Sequence, residues 1–336
     1  MPVRFNTNPS LLNVFGDSDQ NYVEIGLVNN MPDSALQATE RQFLALLEAA
    51  SNGMMVCLTP YALPQVPRSD SGRSHVSSYF SVNDLWNKSL DGLIVTGMEP
   101  CAVNLTEEPY WPSFTRLVDW AEESTASSIW SCLAAHAAAL HIDGIRRFRF
   151  EAKRSGIFDC VRISDHELTS NASERFPMPH SRWNDLPEEA LTACGYRLLT
   201  RSAAGVDSFV KLRKSQFVFF QGHPEYEADT LLLEYRRDVK RFLKGETDTY
   251  PTMPQNYFDE HAAAAWTSLR QRAQSGRRAE VIADLPVLPA PGALANTWHS
   301  DAVKLYRNWL LYMCERKHRR LKARSGSRQP AQVAAR

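Results

Sequence analysis

From residue 22 to about residue 145, short apolar runs alternate with longer stretches whose apolar positions recur at helical spacing. "YVEIGLVNNMP" carries Val23, Ile25, Leu27 and Val28 and then stops at Asn29, Asn30, Met31 and Pro32, which predicts a strand and its end. Leu36, Phe43, Leu44 and Leu47 follow in the stripe of a half-buried helix, opened by Ser34-x-x-Gln37, the pattern of a capping box. "GMMVCLTP" predicts a second strand, the polar "VPRSDSGRSHVSS" a loop, and "LDGLIVTG" a short strand apolar throughout, as in the middle of a parallel sheet. "YWPSFTRLVDWAEEST" predicts a helix and "SSIW" the next strand, after which the alanine-rich run beyond Cys132 favours helix again. This alternation predicts an α/β fold: an open, mostly parallel twisted sheet with helices on both faces. Such sheets bind ligands beyond the carboxyl ends of their strands, so Asn29–Met31, Gly97–Cys101 and Cys132 are expected on one rim.

The second half reads differently. "GYRLLTRS", "DSFVKLR" and "QFVFFQGHPEY" predict strands of an antiparallel extension. "EADTLLLEYRRDVKRFL" predicts a helix with Leu232, Tyr235, Val239 and Phe242 buried, and "HAAAAWTSLRQRAQSGRR" a further one. The proline-rich "DLPVLPAPGAL" reads as a loop, and "NTWHSDAVKLYRNWLLYMCER" as a closing helix with Leu305, Trp309 and Tyr312 on one side. The expected organisation is an irregular leader over residues 1–20, one α/β domain over 21–314 with an insert near 259–295, and a basic, disordered tail over 315–336.

Composition narrows the class without naming it. Lys+Arg and Asp+Glu balance at 38 each, so no global field points to nucleic acid or an anionic membrane. No apolar run approaches the roughly 20 residues of a membrane span, and the N-terminal segment lacks the pattern of a secretory signal. The six cysteines are scattered with no paired spacing, which argues for reduced thiols in a cytoplasmic protein and against a metal site or disulfides.

Two places carry chemistry. Cys132 stands where an apolar strand turns into a helix, and a helix N-terminus there would favour a thiolate, with backbone N–H groups at Leu133 and across the rim at Asn30 expected to hold an oxyanion. Alone, such a cysteine reads more readily as a small buried hydrophobe. "FFQGHPEY" changes the balance: an apolar strand ends and delivers His223, with Glu225 two residues on and, in extended geometry, on the same side. Cys132, His223 and Glu225 thus form a candidate nucleophile, general base and orienting carboxylate.

With those residues placed, the chain resembles the homoserine O-succinyltransferases, homoserine O-acyltransferases with a class I glutamine-amidotransferase-like, flavodoxin-like fold. The resemblance rests on "IGLVNNMP", "DGLIVTG", "YW", "CLAAHAA", "KRSGIFD", "PHSR", "GHPEYEADTLLLEYRRDV" and "NYF", spread over most of residues 22–258, and resumes at "NTWHSDAVKLYRNWL". It implies a ping-pong reaction in methionine biosynthesis: the cysteine takes an acyl group from acyl-CoA as a thioester and passes it to the homoserine hydroxyl. Cys132 would be the nucleophile, His223 the base and Glu225 its orienter. Lys153 and Ser181 fall where the family contacts substrate, and Arg237 where an arginine fork clamps the amino acid's carboxylate. Glu234, one helical turn earlier, would pair with Arg237 or meet the substrate amine. No cofactor, metal, nucleic acid or membrane is implied, and a homodimer is.

Some positions depart from the family. Its elbow reads Cys-Trp-Gly-Ala-Gln, whereas Leu133, Ala134 and His136 stand here at the Trp, Gly and Gln places. An alanine where a tight turn wants glycine predicts strain at Ala134, and His136 reads as a polar substitute for glutamine. The position that the family associates with acyl choice, glycine for succinyl and glutamate for acetyl, falls on Cys101. A small neutral side chain there favours succinyl-CoA, with Glu99 close by. Acetyl-CoA as donor, serine as acceptor, a glutamine-hydrolysing amidase, and a non-catalytic binding protein retaining the fold remain the alternatives.

Overall fold

Val28 of one strand lies opposite Val95 of the next, and Val95's strand in turn sets Ile94 against Ile129, so the apolar runs of the sequence become the middle of one sheet. The computed structural model describes residues 3–6, 22–275, 279–290 and 292–326. In chain order the elements are β1 (Val3–Phe5), β2 (Tyr22–Val28), α1 (Leu36–Ser51), β3 (Met55–Ala62), α2 (Asp70–Val76), β4 (Phe80–Ser81), β5 (Leu90–Val95), α3 (Trp111–Ser124), β6 (Thr125–Ser131) and α4 (Leu133–Asp143). The second half adds β7 (Phe148–Arg162), β8 (Arg175–Asp185), α5 (Glu188–Ala193), β9 (Arg197–Ser202), β10 (Gly205–Leu212), β11 (Gln216–Phe220), α6 (Thr230–Leu243), α7 (Glu260–Ser275) and α8 (His299–Gly326).

The 11-stranded sheet runs β1-β3-β2-β5-β6-β11-β10-β9-β7-β8, with β4 beside β3. Pairing is parallel from β1 to β11 and antiparallel from β11 to β8. Helices cover both faces, as expected. On one, Phe114, Leu117 and Val118 of α3 pack with the alanines of α4. On the other, Phe43 and Leu47 of α1 meet Tyr306, Trp309 and Leu310 of α8. Gly92 in β5 makes the second contact possible: a side chain there would lie 2.4 Å from Met313 Sδ and 3.0 Å from the Trp309 ring. Trp309 donates its indole N–H to Ser127 Oγ at 2.9 Å, so the buried ring keeps its one polar atom satisfied.

The structure corrects several expectations. β11 pairs parallel with β6 and only its other edge is antiparallel, because the extension begins one strand later than its apolar pattern suggests. The polar stretch expected as a loop contains α2, capped by Ser69 Oγ accepting from the Gly72 amide at 3.3 Å. The capping box at Ser34 does not form: a 3-10 turn occupies Asp33–Ala35, and α1 starts without a side-chain cap. Within the leader, Val3–Phe5 is a strand against β3, while residues 7–20 lie outside the described residues. α8 runs on to Gly326, into the segment expected to be disordered, and residues 327–336 lie outside the described ones. The β7–β8 hairpin had no counterpart in the sequence reading. The insert near 259–295 packs Trp266, Leu269 and Leu285 against Tyr235, Val239 and Phe242 of α6, the helix that carries Arg237. No helix among the described residues is long and apolar enough to cross a membrane.

Candidate active site

β6 lies between β5 and β11, and all three end at the same rim, with Ser131 opposite Phe220. Cys132 follows at φ 52°, a conformation that costs a non-glycine residue on the order of 1–3 kcal/mol. Neighbours hold it there. The Cys132 amide donates to the Phe220 carbonyl at 2.7 Å, and its own carbonyl accepts from the Ala135 amide at 3.0 Å as α4 begins. The strained residue is therefore the cysteine itself; Ala134 lies inside α4 without a positive φ, and the strain expected of it is absent. Gly97, at the end of β5, keeps the elbow clear, since a side chain there would stand 3.3 Å from Leu133 N and 3.5 Å from Cys132 Cβ. Leu133 opens α4, so its N–H belongs to the turn whose amides have no helical acceptor and favour negative charge.

His223 and Glu225 come together as expected, by another route. The chain does not stay extended: the Tyr226 amide donates to the His223 carbonyl at 3.2 Å, closing a turn with Pro224 at the position whose fixed φ suits it. That turn brings Glu225 Oε1 to 2.8 Å from His223 Nδ1, with both side chains buried. Nε2 is thereby left free of Glu225, and the nearby Cys132 sulfur interacts electrostatically with the imidazole. Burial opposes charge on His223, but the Glu225 carboxylate and the Cys132 sulfur outweigh it and hold the imidazole well above its ordinary value. Tyr226 stacks on the imidazole at 4.2 Å between ring centroids and 18° between planes. Its carbonyl accepts from Trp298 Nε1 at 2.9 Å and Asn296 Nδ2 at 3.3 Å, which fixes the turn from the chain's C-terminal end.

The four residues expected to contact substrate gather beside this pair, on β7, β8 and α6. Glu234 accepts hydrogen bonds from Ser181 and, at 2.7 Å, from Tyr226, and stands 3.8 Å from Lys153. Burial raises its carboxyl, but Lys153, Ser181 and Arg237 prevail and lower it below its ordinary value. Lys153 bonds Asp238 at 3.0 Å. Arg237 does not pair with Glu234; its Nε and Nη2 donate to Asp238 Oδ1 at 3.0 and 2.9 Å. Tyr226 and Asp238 are the residues that the sequence reading missed, although both lie within "GHPEYEADTLLLEYRRDV".

Asn30 is placed differently. Its amide donates to Thr96 Oγ1 at 2.8 Å and its side-chain oxygen accepts from the Leu63 amide at 3.1 Å, so the expected oxyanion donor is spent joining the ends of β2, β3 and β5. His136 does behave as a substitute amide. It contacts Gln221 Oε1 at 2.6 Å, and burial lowers its pKa to about 3, leaving a neutral imidazole. Gln221 is further bound to Asp185 Oδ1 at 2.8 Å and Val206 O at 2.7 Å, which fixes the end of β11 just before His223. Cys101 is exposed on the loop after β5, and neighbouring Glu99 is drawn to Arg241 of α6 at 3.1 Å.

Among the described residues, Cys160, His180 and Asp207 bring potential metal-binding atoms within 4.8 Å of one another, all buried. Burial and the Asp207 charge push the Cys160 thiol far up, against the thiolate that a metal requires, and His180 already faces Asp207 at 3.3 Å. A cavity of about 560 Å³ lined by Phe158, Asp159, Arg175, Arg201, Gln255 and Asn256 lies away from Cys132.

A cysteine on a strand-to-helix elbow, beside a His-Glu pair from the adjoining parallel strand, belongs to the α/β proteins of the class I glutamine-amidotransferase fold. A glutamine amido transferase from Methylobacillus flagellatus shares that fold, with a TM-score of 0.50 and 15% identity over 87% of this chain and 95% of that one. The family model described as homoserine O-succinyltransferase matches residues 16–320. Homoserine O-succinyltransferases from Rhodopseudomonas palustris and Methylorubrum extorquens are 49% and 46% identical, over 86% and 88% of this chain and 87% and 89% of theirs. The chain belongs to the homoserine O-succinyltransferase family.

Proposed function

We propose that the protein transfers a succinyl group from succinyl-CoA to the hydroxyl of L-homoserine through a thioester on Cys132. The observation that carries the reading is the strained Cys132 elbow facing the His223–Glu225 pair in a chain of this family. In the first half-reaction the Cys132 sulfur attacks the thioester carbonyl, the C–S bond to CoA breaks, and the imidazolium of His223 protonates the departing CoA thiolate. The Leu133 N–H faces the developing oxyanion. In the second, His223 takes the proton of the homoserine hydroxyl as its oxygen attacks the acyl carbon, and the Cys132 thiolate leaves. Glu234 receives the substrate ammonium beside Ser181 and Tyr226, while Arg237 turns from Asp238 to the carboxylate. Lys153 balances both carboxylates. Acyl-CoA is a co-substrate and no cofactor takes part. The scattered free thiols support a cytoplasmic setting, and the homodimer rests on the family resemblance, to be checked by sedimentation.

Brief exposure of the protein to succinyl-CoA without an amino acid is expected to add one succinyl group by intact mass, discharged by homoserine. An acetyl adduct in its place would reassign the donor, and no adduct with either would remove the acyl-enzyme. Arg237→Ala is expected to raise KM for homoserine about tenfold to a hundredfold and leave the yield of succinyl-enzyme unchanged. Loss of acylation in that variant would give Arg237 another role.

A further inference from the structure

Consecutive residues hold the imidazole of His223 in two directions. Glu225 Oε1 meets its edge at 2.8 Å, and the ring of Tyr226 lies against its face, with 4.2 Å between centroids and 18° between planes. All three side chains are buried. A single hydrogen bond to Nδ1 fixes that nitrogen but leaves the ring free to rock about the bond, so the direction of Nε2 is settled only when the face is held as well. Tyr226 can do this because it is itself pinned along its whole length. Its amide donates to the His223 carbonyl at 3.2 Å, and its carbonyl accepts from Trp298 Nε1 at 2.9 Å and Asn296 Nδ2 at 3.3 Å. At its far end the hydroxyl donates to Glu234 Oε1 at 2.7 Å. Ser181 donates to the other oxygen of Glu234, and Lys153 stands 3.8 Å from it, so the carboxylate is held from both sides.

We propose that Tyr226 is a positioning residue shared by the two half-reactions: its ring holds the imidazole of His223 for proton transfer, and its hydroxyl holds Glu234 to receive the acceptor's ammonium. The inference rests on the acyl-transfer reading of Cys132 and His223 and adds the side chain that ties the base to the amino-acid site. The stack also bears on charge, because the electron-rich face of a phenol ring favours an imidazolium laid against it over a neutral imidazole. Burial and the carboxylates of Glu234 and Glu225 hold the Tyr226 hydroxyl well above its ordinary value, so it stays a neutral donor. The other groups facing His223 are Glu225 on its own turn, the Cys132 sulfur at the elbow, His180 of β8 and Glu234 of α6. Burial lowers His180, which therefore adds no positive charge. Tyr306 of α8 faces Glu225, and burial keeps it a neutral phenol. The ring and the hydroxyl of Tyr226 thus have separable tasks, one read in acylation and the other in discharge of the acyl-enzyme.

The test follows the two half-reactions separately by quenched intact mass in the full-length wild type, Tyr226→Phe and Tyr226→Leu. Tyr226→Phe keeps the ring and removes the hydroxyl. It is expected to raise the homoserine concentration for half-maximal discharge of the succinyl-enzyme about tenfold, the effect of losing a hydrogen bond to a charged group, and to change the acylation rate by a much smaller factor. Tyr226→Leu removes the ring as well. Its alkaline limb of acylation by succinyl-CoA should move toward acid by about half a pH unit to one unit, the effect of losing a buried cation–π contact. Equal losses in acylation and discharge for Tyr226→Phe, or an unmoved alkaline limb in Tyr226→Leu, overturn the proposal. Should Tyr226→Leu not fold, as judged by its thermal midpoint, the split between discharge and acylation in Tyr226→Phe decides alone. Failure of the underlying reading is distinguishable, because the wild type itself would then form no succinyl adduct.

Discussion

Replacing Cys132 with alanine is expected to abolish acyl transfer, lowering turnover on the order of 10⁴-fold or more, as removal of a triad nucleophile does. The elbow should survive. Its backbone is held by the Phe220 carbonyl and by the first turn of α4, neither of which involves the sulfur. The thermal midpoint is accordingly expected to stay within a few degrees of wild type, and the intact mass to show no adduct after succinyl-CoA. A succinyl adduct persisting in Cys132→Ala would move the nucleophile elsewhere. A collapsed fold would show that the thiol supports the elbow as well as the chemistry.

His223→Ala is expected to slow both half-reactions by a hundredfold or more, since in the proposed mechanism a single imidazole would protonate CoA in one and deprotonate homoserine in the other. The pH dependence separates its role from that of Glu225. The charge on Glu225 favours the imidazolium and burial opposes it, so removing the charge in Glu225→Gln leaves the Cys132 sulfur alone to oppose burial. The imidazolium then gives up its proton at lower pH, and the alkaline limb of the acylation rate should shift toward acid. Stability follows the same sign. A histidine raised by its partners contributes stability that is fully present below about pH 6.5 and is lost as pH rises through the native value. The stability gap between wild type and Glu225→Gln should therefore narrow on the alkaline side. An alkaline limb that does not move would mean that Glu225 does not set the charge of His223.

The parallel half of the sheet was legible because its strands are buried on both faces, and such strands read as unbroken apolar runs like those around Ile94 and Ile129. The same logic placed Cys132, since a run that stops dead at a helix start has few other geometries. The β7–β8 hairpin was illegible for the opposite reason. β7 is half exposed and interleaves arginines with aromatics, and β8 contains two prolines, so neither shows a clean period of two. Lys153 and Ser181 were thus identified only through resemblance, and their convergence on Glu234 needed the fold. The Asn30 amide could not be assigned from sequence, because its acceptor, Thr96, comes from another strand end sixty-six residues away. Ser34-x-x-Gln37 failed as a helix start for a local reason: Pro32 and the 3-10 turn after it take up the residues that the box requires.

α8 is the last of the described elements and yet lies on the central strands, with Trp309 on Ser127 of β6 and Met313 over Gly92 of β5, while Trp298 just before it holds the turn of His223. Without α8 the face of the sheet that it shares with α1 is left partly uncovered, and the turn of His223 lacks its contact from Trp298. A chain that stops before Trp298 is therefore expected to lose the brace on His223 and to expose a sticky surface in the same stroke, the kind of species that aggregates or is cleared.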